Sequence, residues 1–131
     1  MTPQRILQLN ALSTAACAIG MLLTRGTLHT LFGLDTPLLL DVVAVGLLAC
    51  AGALGAVARQ ETIARSTLMA FAIVDALWVV GSAVVLLLFW GQLTPVARVL
   101  VIAVALAVEV FATLQYRAAG KVGERALLGT I

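Results

Sequence analysis

The stretch TIARSTLMAFAIVDALWVVGSAVVLLLF, residues 62–89, decides the fold class of this chain. It is mostly apolar over more than the roughly 20 residues that a helix needs to cross the hydrocarbon core of a bilayer. One acid, Asp75, interrupts it about 15 Å along the helix axis from Arg65, at a rise of about 1.5 Å per residue. We therefore predict a membrane-spanning helix over residues 62–89 with a carboxyl group near mid-membrane.

Three other stretches share this apolar character, at about residues 3–24, 37–58 and 95–117. Of the 131 residues, 63% are hydrophobic and 11% are charged, whereas about a quarter of the residues are charged in soluble domains. The short connections leave no room for a separate soluble domain. We predict an all-α, four-helix transmembrane bundle in contact with the lipid bilayer, a single domain over residues 1–131. The tail at residues 118–131 is expected to form a short surface helix or to fray.

Each proline follows a threonine and precedes an apolar run. Threonine suits the N-cap position because its hydroxyl oxygen accepts a backbone hydrogen bond, and proline suits the first helical turn because its missing N–H is not needed there. We expect helices to begin at Thr2-Pro3, Thr36-Pro37 and Thr94-Pro95.

The basic residues are distributed unevenly between the two ends of the predicted bundle. Arg25 and Arg98 fall at one end, and the other end carries Arg5, Arg59, Arg65, Arg117, Lys121 and Arg125. Because Lys and Arg concentrate on the cytoplasmic side of a membrane, we predict that both termini lie inside, an N-in/C-in topology. Cations placed singly at helix ends are topology signals and do not form a nucleic-acid-binding surface, so no nucleic-acid partner is expected.

Helical spacing places polar residues of three predicted helices on faces that can meet. Asn10 lies on a polar stripe of the first helix, Asp75 and Trp78 share a face of the third, and Glu109 and Thr113 share a face of the fourth. A charged group at mid-membrane costs about 2.5 to 3.5 kcal/mol, so such a group is expected to face the bundle interior and to mark a functional site. We predict a ligand-binding pocket formed by Asn10, Asp75, Trp78, Glu109 and Thr113.

The second predicted helix is rich in small residues at spacings of three and four, which let helices approach closely. These residues are Gly46, Ala49, Cys50, Gly52, Ala53, Gly55 and Ala56. We expect this face to be the packing spine of the bundle. Asp41, one turn inside the start of the same helix, is interpreted as a capping or interfacial charge outside the pocket.

Other site chemistries find little support in the sequence. Cys17 and Cys50 lack the C-x-x-C spacing of redox and metal sites, and His29 is the single histidine, without acids or thiols beside it. No glycine-rich phosphate loop and no nucleophile with an adjacent base is recognisable. We assign no metal ligand, no cofactor and no catalytic residue.

Three functional hypotheses remain open. In the first, which we favour, the acidic pocket binds or transports a small cationic or lipid-soluble ligand, coupled to proton exchange. In the second, the chain is a non-catalytic structural or accessory subunit, whose acids fix helix packing within a homo-oligomer or a larger membrane complex. In the third, the two carboxyl groups act as acid and base in an intramembrane enzyme with an isoprenoid- or quinone-like substrate.

Several motifs resemble those of small four-span bacterial membrane proteins without assigned activity. They are Leu9–Ser13 (LNALS), Leu31–Leu34 (LFGL) and Asp75–Ser82 (DALWVVGS). This resemblance covers most of the chain and implies a multi-pass bundle in the bacterial inner (plasma) membrane. Residues Glu109–Thr113 (EVFAT), with Arg117 beyond them, resemble part of the first helix of small multidrug resistance transporters, in which the glutamate exchanges protons for cationic drugs in an antiparallel dimer. Here the motif lies on the fourth predicted helix.

Overall fold

Helices account for nearly all of the structure, a computed structural model that describes residues 2–33 and 38–129. Within these ranges there is no β-strand, which confirms the all-α prediction. The five helices are α1 (Pro3–Leu23), α2 (Arg25–Leu31), α3 (Leu38–Ala58), α4 (Arg65–Phe89) and α5 (Pro95–Gly129). All of them except α2 are long and apolar enough to cross a membrane. The chain therefore has four candidate membrane spans, as the sequence predicts.

The four long helices pack as two pairs. Helix α1 packs mainly against α3, and α4 mainly against α5. The two pairs meet chiefly where α1 contacts α5, and short α2 contacts α1, α3 and α5. The molecule thus consists of two antiparallel helical pairs with a narrow junction between them. Hydrogen bonds across that junction form a larger share of the contact between the pairs than they would in a uniformly packed bundle.

A cluster of buried apolar residues joins the two pairs at the end of the bundle where α1 begins. Its members are Ile6, Leu7, Leu54, Ala58, Ile63, Leu68, Ala118 and Ala119. The side-chain amide of Gln4 closes this end by donating hydrogen bonds to the backbone oxygens of Gln60 and Glu61, at 3.2 and 2.7 Å. All four long helices contribute to the cluster, so it fixes the depth at which their polar residues face one another.

Helix α3 uses a different face from the one that its small residues predict. The buried residues of α3 are Leu40, Ala44, Leu54 and Ala58, which recur at helical spacing and face the rest of the protein. A Cβ atom added at Gly46, Gly52 or Gly55 would meet no other atom within 4 Å. The prediction of a small-residue packing spine is therefore wrong for the single chain. The inward face of α3 carries two leucines as well as two alanines, and burial of the leucine side chains favours this face over the glycine-rich one.

Two predicted helix boundaries also need correction. Helix α4 begins at Arg65 instead of residue 62, because Ile63 lies in the preceding connection and is buried in the apolar cluster. Helix α5 does not end at Arg117: it continues without interruption to Gly129, for 35 residues in all. Burial of Ala118 and Ala119 holds the continuation against the bundle, so the tail is neither a separate surface helix nor frayed over this range.

Threonine caps begin two of the helices as predicted. The Thr2 hydroxyl accepts a hydrogen bond from the backbone N–H of Arg5 at 3.2 Å, and the Thr94 hydroxyl accepts one from that of Ala97 at 3.2 Å. The third predicted start, Thr36-Pro37, lies outside the described residues. Thr94 also donates from its hydroxyl to the backbone oxygen of Leu31 at 2.9 Å, which fastens the end of α2 to the start of α5.

Candidate functional site

Asp75 is the centre of a polar cluster formed by three helices. It is partly buried on α4, and its Oδ2 atom accepts hydrogen bonds from two side-chain amides. Asn10 of α1 donates from Nδ2 at 2.9 Å, and Gln115 of α5 donates from Nε2 at 3.1 Å. Asn10 is 3% exposed and Gln115 is fully buried. The cluster therefore links one helical pair to the other inside the predicted membrane region.

Helix geometry explains why these side chains meet. Asn10 lies about two turns from the start of α1, and Asp75 about three turns from the start of α4, at the same end of the bundle. Helix α5 runs antiparallel to α4, so its late residue Gln115 returns to the depth of Asp75. Thr14, one turn along α1, donates from its hydroxyl to Asn10 Oδ1 at 3.1 Å and so orients the amide of Asn10 toward Asp75.

Two buried polar atoms beside this cluster have no hydrogen-bond partner among the described residues. They are Oε1 of Gln115 and Nε1 of Trp78. Trp78 follows Asp75 by three residues on α4 and so lies on the same helix face. In addition, Asp75 Oδ1 receives no hydrogen bond from a described residue, since both amides donate to Oδ2. Among the described residues, two oxygen acceptors and one N–H donor at or beside the cluster are therefore left without a hydrogen-bond partner.

Within the described residues the carboxyl group of Asp75 forms no ion pair with a basic side chain. The ion pair found within the described residues joins Arg25 to Asp41, at the other end of the bundle. There Arg25 Nε donates to Asp41 Oδ1 at 2.9 Å and Nη2 donates to Oδ2. The hydrogen bonds and the charge of Asp41 raise the pKa of Arg25. Asp41 thus forms an ion pair with Arg25, whereas the described partners of Asp75 are the neutral amides of Asn10 and Gln115.

The structure brings together some of the predicted site residues and separates the others. Asn10 and Asp75 are in direct contact, and Trp78 lies one turn away with its indole nitrogen buried. Glu109 and Thr113 are exposed on α5 and do not join them. Glu109 instead lines a shallow groove between α4 and α5, with Val79, Ala83, Leu86, Ile102, Ala105 and Leu106. The structure does not bring Asp75 and Glu109 together, because Glu109 faces the groove beside α4, whereas Asp75 is bound by Asn10 of α1 and Gln115 of α5.

Sequence reasoning missed Gln115. An amide is less conspicuous than an acid, and Gln115 lies only two residues before Arg117, close to the predicted end of the fourth span. Helical periodicity could have identified Gln115. Phe111, Gln115 and Ala118 are spaced by four and three residues, so they share one face of α5, and this face is turned inward.

Comparisons with protein-family models, with curated proteins and with solved structures found no match to this chain. The structure itself defines an all-α bundle with four candidate membrane spans, in which the described partners of the acid Asp75, at the junction of two helical pairs, are neutral amides.

Several chemical roles are open to this arrangement. An ionised Asp75 accepts both amide hydrogen bonds, as the geometry shows. A protonated Asp75 can instead donate to Gln115 if the amide turns over and presents Oε1, because a carboxamide has a donor and an acceptor at its two ends. Acid–base catalysis by a pair of carboxyl groups is not assembled here, since Glu109 is elsewhere. Reversible protonation and ligand binding both fit the cluster.

Proposed function

We propose that this protein is a multi-pass protein of the bacterial inner membrane, with both termini in the cytoplasm, that binds a small protonated amine at Asp75 in exchange for a proton. One observation carries the proposal. Asp75 Oδ1 and the buried Gln115 Oε1 accept no hydrogen bond from a described residue. A primary ammonium group has three N–H donors, enough for both oxygens.

The charge balance supports a cationic ligand over a neutral one. Within an apolar environment a carboxylate is strongly favoured to pair with a positive group, and the neutral amides of Asn10 and Gln115 do not supply one. The indole of Trp78 adds an aromatic surface on the same face of α4. Cation–π attraction to such a ring is worth about 2 kcal/mol when the cation is desolvated.

Proton exchange follows from the same amides. With an amine bound, Asp75 is ionised and accepts from Asn10 and Gln115. Without the amine, a protonated Asp75 donates to a reoriented Gln115, and no charge remains in the membrane. Alternation between these two states couples release of one proton to binding of one cation, which is the minimum that a proton-coupled transporter requires.

The test measures ligand binding through the fluorescence of Trp78, a residue of the proposed site. In a Trp90→Phe background Trp78 is the single tryptophan, and its fluorescence in detergent-solubilised protein is titrated with hexylammonium in weakly buffered solution. We expect a saturable change accompanied by proton release. Asp75→Asn should weaken binding tenfold or more, about 1.4 kcal/mol, and should abolish proton release, whereas Glu109→Gln, which removes the other intramembrane acid, should change neither.

Hexyltrimethylammonium provides a matched ligand control, because it carries the same charge and the same hexyl chain without any N–H donor. Weaker binding of this ion than of hexylammonium is expected from the role of Gln115 Oε1. Equal responses of the parent protein and Asp75→Asn to hexylammonium would refute the proposal.

A second candidate function is purely structural, and one observation favours it. The Asn10–Asp75 and Gln115–Asp75 hydrogen bonds connect the two helical pairs across their narrow junction. In this alternative the cluster is a clamp in a structural or accessory subunit. It predicts that Asp75→Asn alters the unfolding free energy while the parent protein shows no hexylammonium-dependent proton release.

A further inference from the structure

Helix α5 carries a partly polar stripe of exposed residues beside its contact with α4. We define the α5 stripe as Ile102, Leu106, Glu109, Thr113 and Tyr116, which recur at steps of three and four and are all exposed. Leu106 is 62% and Tyr116 64% exposed. Neither Glu109 nor Thr113 has a side-chain hydrogen bond to another described residue.

The depth of Glu109 makes this exposure costly. Glu109 lies 14 positions after Pro95, the first residue of α5, which places it about 21 Å along the helix axis. The same face of a membrane-spanning helix would otherwise meet lipid chains, which offer no hydrogen bond to a carboxyl group. A protein surface with matching hydrogen-bonding groups is therefore required at this depth.

We propose that the α5 stripe packs against the α5 stripe of a second copy of this chain, in a parallel pair. In that arrangement the Glu109 side chains of the two copies lie at the same depth. Each carboxyl group reaches the opposing carboxyl group or the opposing Thr113 hydroxyl one turn away. Each α5 stripe thus supplies both the hydrogen-bond donor and the acceptor that the stripe of the other copy needs. No basic residue from another protein is required.

The shape of the surface supports a helix as the occupant. The groove beside Glu109 is bordered by Val79, Ala83 and Leu86 of α4 and by Ala105 of α5. Alanine on both walls lets another helix approach closely, which favours association within a membrane. Large apolar residues of the stripe then fill the groove of the opposing copy, while Glu109 and Thr113 pair at its edge.

Cysteine cross-linking of purified protein in phospholipid vesicles tests this arrangement, because no other protein is present. In a background with Cys17→Ser and Cys50→Ala, single cysteines are introduced by Ile102→Cys and Leu106→Cys on the stripe. Leu77→Cys serves as the control, since Leu77 is 64% exposed on α4 and is not among the residues of the groove. We expect disulfide-linked dimers at both stripe positions and at least fivefold less at Leu77.

Energy transfer between donor- and acceptor-labelled copies gives a second readout. Glu109→Leu is expected to weaken association at least tenfold in vesicles, and Glu109→Gln to retain it, since a carboxamide can still donate and accept. Cross-linking at Leu77 equal to that at Leu106, or association unaffected by Glu109→Leu, would overturn the proposal. Both experiments are done without amine, so their outcome does not depend on the proposed function of Asp75.

Discussion

Asn10 donates a hydrogen bond of 2.9 Å to Asp75, a residue 65 positions later in the sequence. This contact joins α1, in the first helical pair, to α4 in the second. Gln115 reaches the same oxygen of Asp75 from α5. One carboxylate oxygen therefore connects three of the four long helices, and the stability of their junction depends on what stands at position 75.

Replacement of Asp75 by leucine should destabilise the protein. Asp75→Leu leaves the buried amides of Asn10 and Gln115 without their acceptor, and an unsatisfied buried donor costs about 1 to 3 kcal/mol. We expect a loss of roughly this size in the free energy of unfolding, measured by titration of detergent-solubilised protein with sodium dodecyl sulfate. Glu109→Leu should change the free energy of unfolding little, because Glu109 is exposed. This control is measured in the same micelles, at a protein concentration low enough to keep the protein monomeric.

A double-mutant cycle should show that Asn10 and Asp75 act together. We expect Asn10→Ala to be destabilising in the parent protein and nearly neutral once Asp75 is alanine, with a coupling energy of about 0.6 to 1.7 kcal/mol, the range for hydrogen bonds between membrane helices. The four proteins are compared by the same unfolding titration. Additive effects of the two substitutions would mean that the 2.9 Å contact contributes nothing to stability.

Gly33 should not tolerate a side chain. Its φ of 68° lies in the left-handed region, and an added Cβ would stand 3.1 Å from the backbone oxygen of Gln92. Gly33→Ala is expected to cost about 1 to 2 kcal/mol from the backbone alone, read from thermal unfolding. Gly26→Ala, within α2 and with no atom near the new Cβ, should be neutral or stabilising by up to about 1 kcal/mol. A reversed order of the two variants would contradict this assignment.

Thr94 should be sensitive to loss of its hydroxyl. Thr94→Val removes both the cap to Ala97 N–H and the bond to the backbone oxygen of Leu31. We expect a loss of about 0.5 to 2 kcal/mol in the free energy of unfolding, typical of an N-cap threonine. Thr94→Ser keeps the hydroxyl and should lie within about 0.5 kcal/mol of the parent. A larger loss for Thr94→Ser than for Thr94→Val would contradict this prediction and would point to packing of the methyl group instead.

The four long helices were predictable because each contains a continuous apolar run, and two of them also have a recognisable start. Residues 3–24 and 95 onward begin at threonine–proline pairs whose hydroxyl groups do cap the helices. The polar contact of Asn10 with Asp75 was predictable in part, since burial is costly for both and each lies at a similar depth. These inferences need only local spacing and the cost of polar groups in an apolar medium.

The face that each helix buries was harder to predict than the helix itself. It depends on how the four long helices pack against one another. The small residues of α3 resemble a packing face, yet α3 buries Leu40 and Leu54 on another face. Glu109 resembles an inward acid, yet Gln115 occupies the inward face of α5 at the depth of Asp75. A helix has several faces with comparable polarity, and only the packing of its neighbours selects one.

The pairing of α1 with α3 and of α4 with α5 has a consequence for biosynthesis. A ribosome completes α3 before it begins α4, so the first pair can associate in the membrane while the second is still being made. Throughout that interval Asn10 has its Thr14 contact but no carboxylate to bind. The polar cluster comes into existence only when α5 has been inserted far enough to deliver Gln115, which makes its assembly one of the last events in the synthesis of the chain.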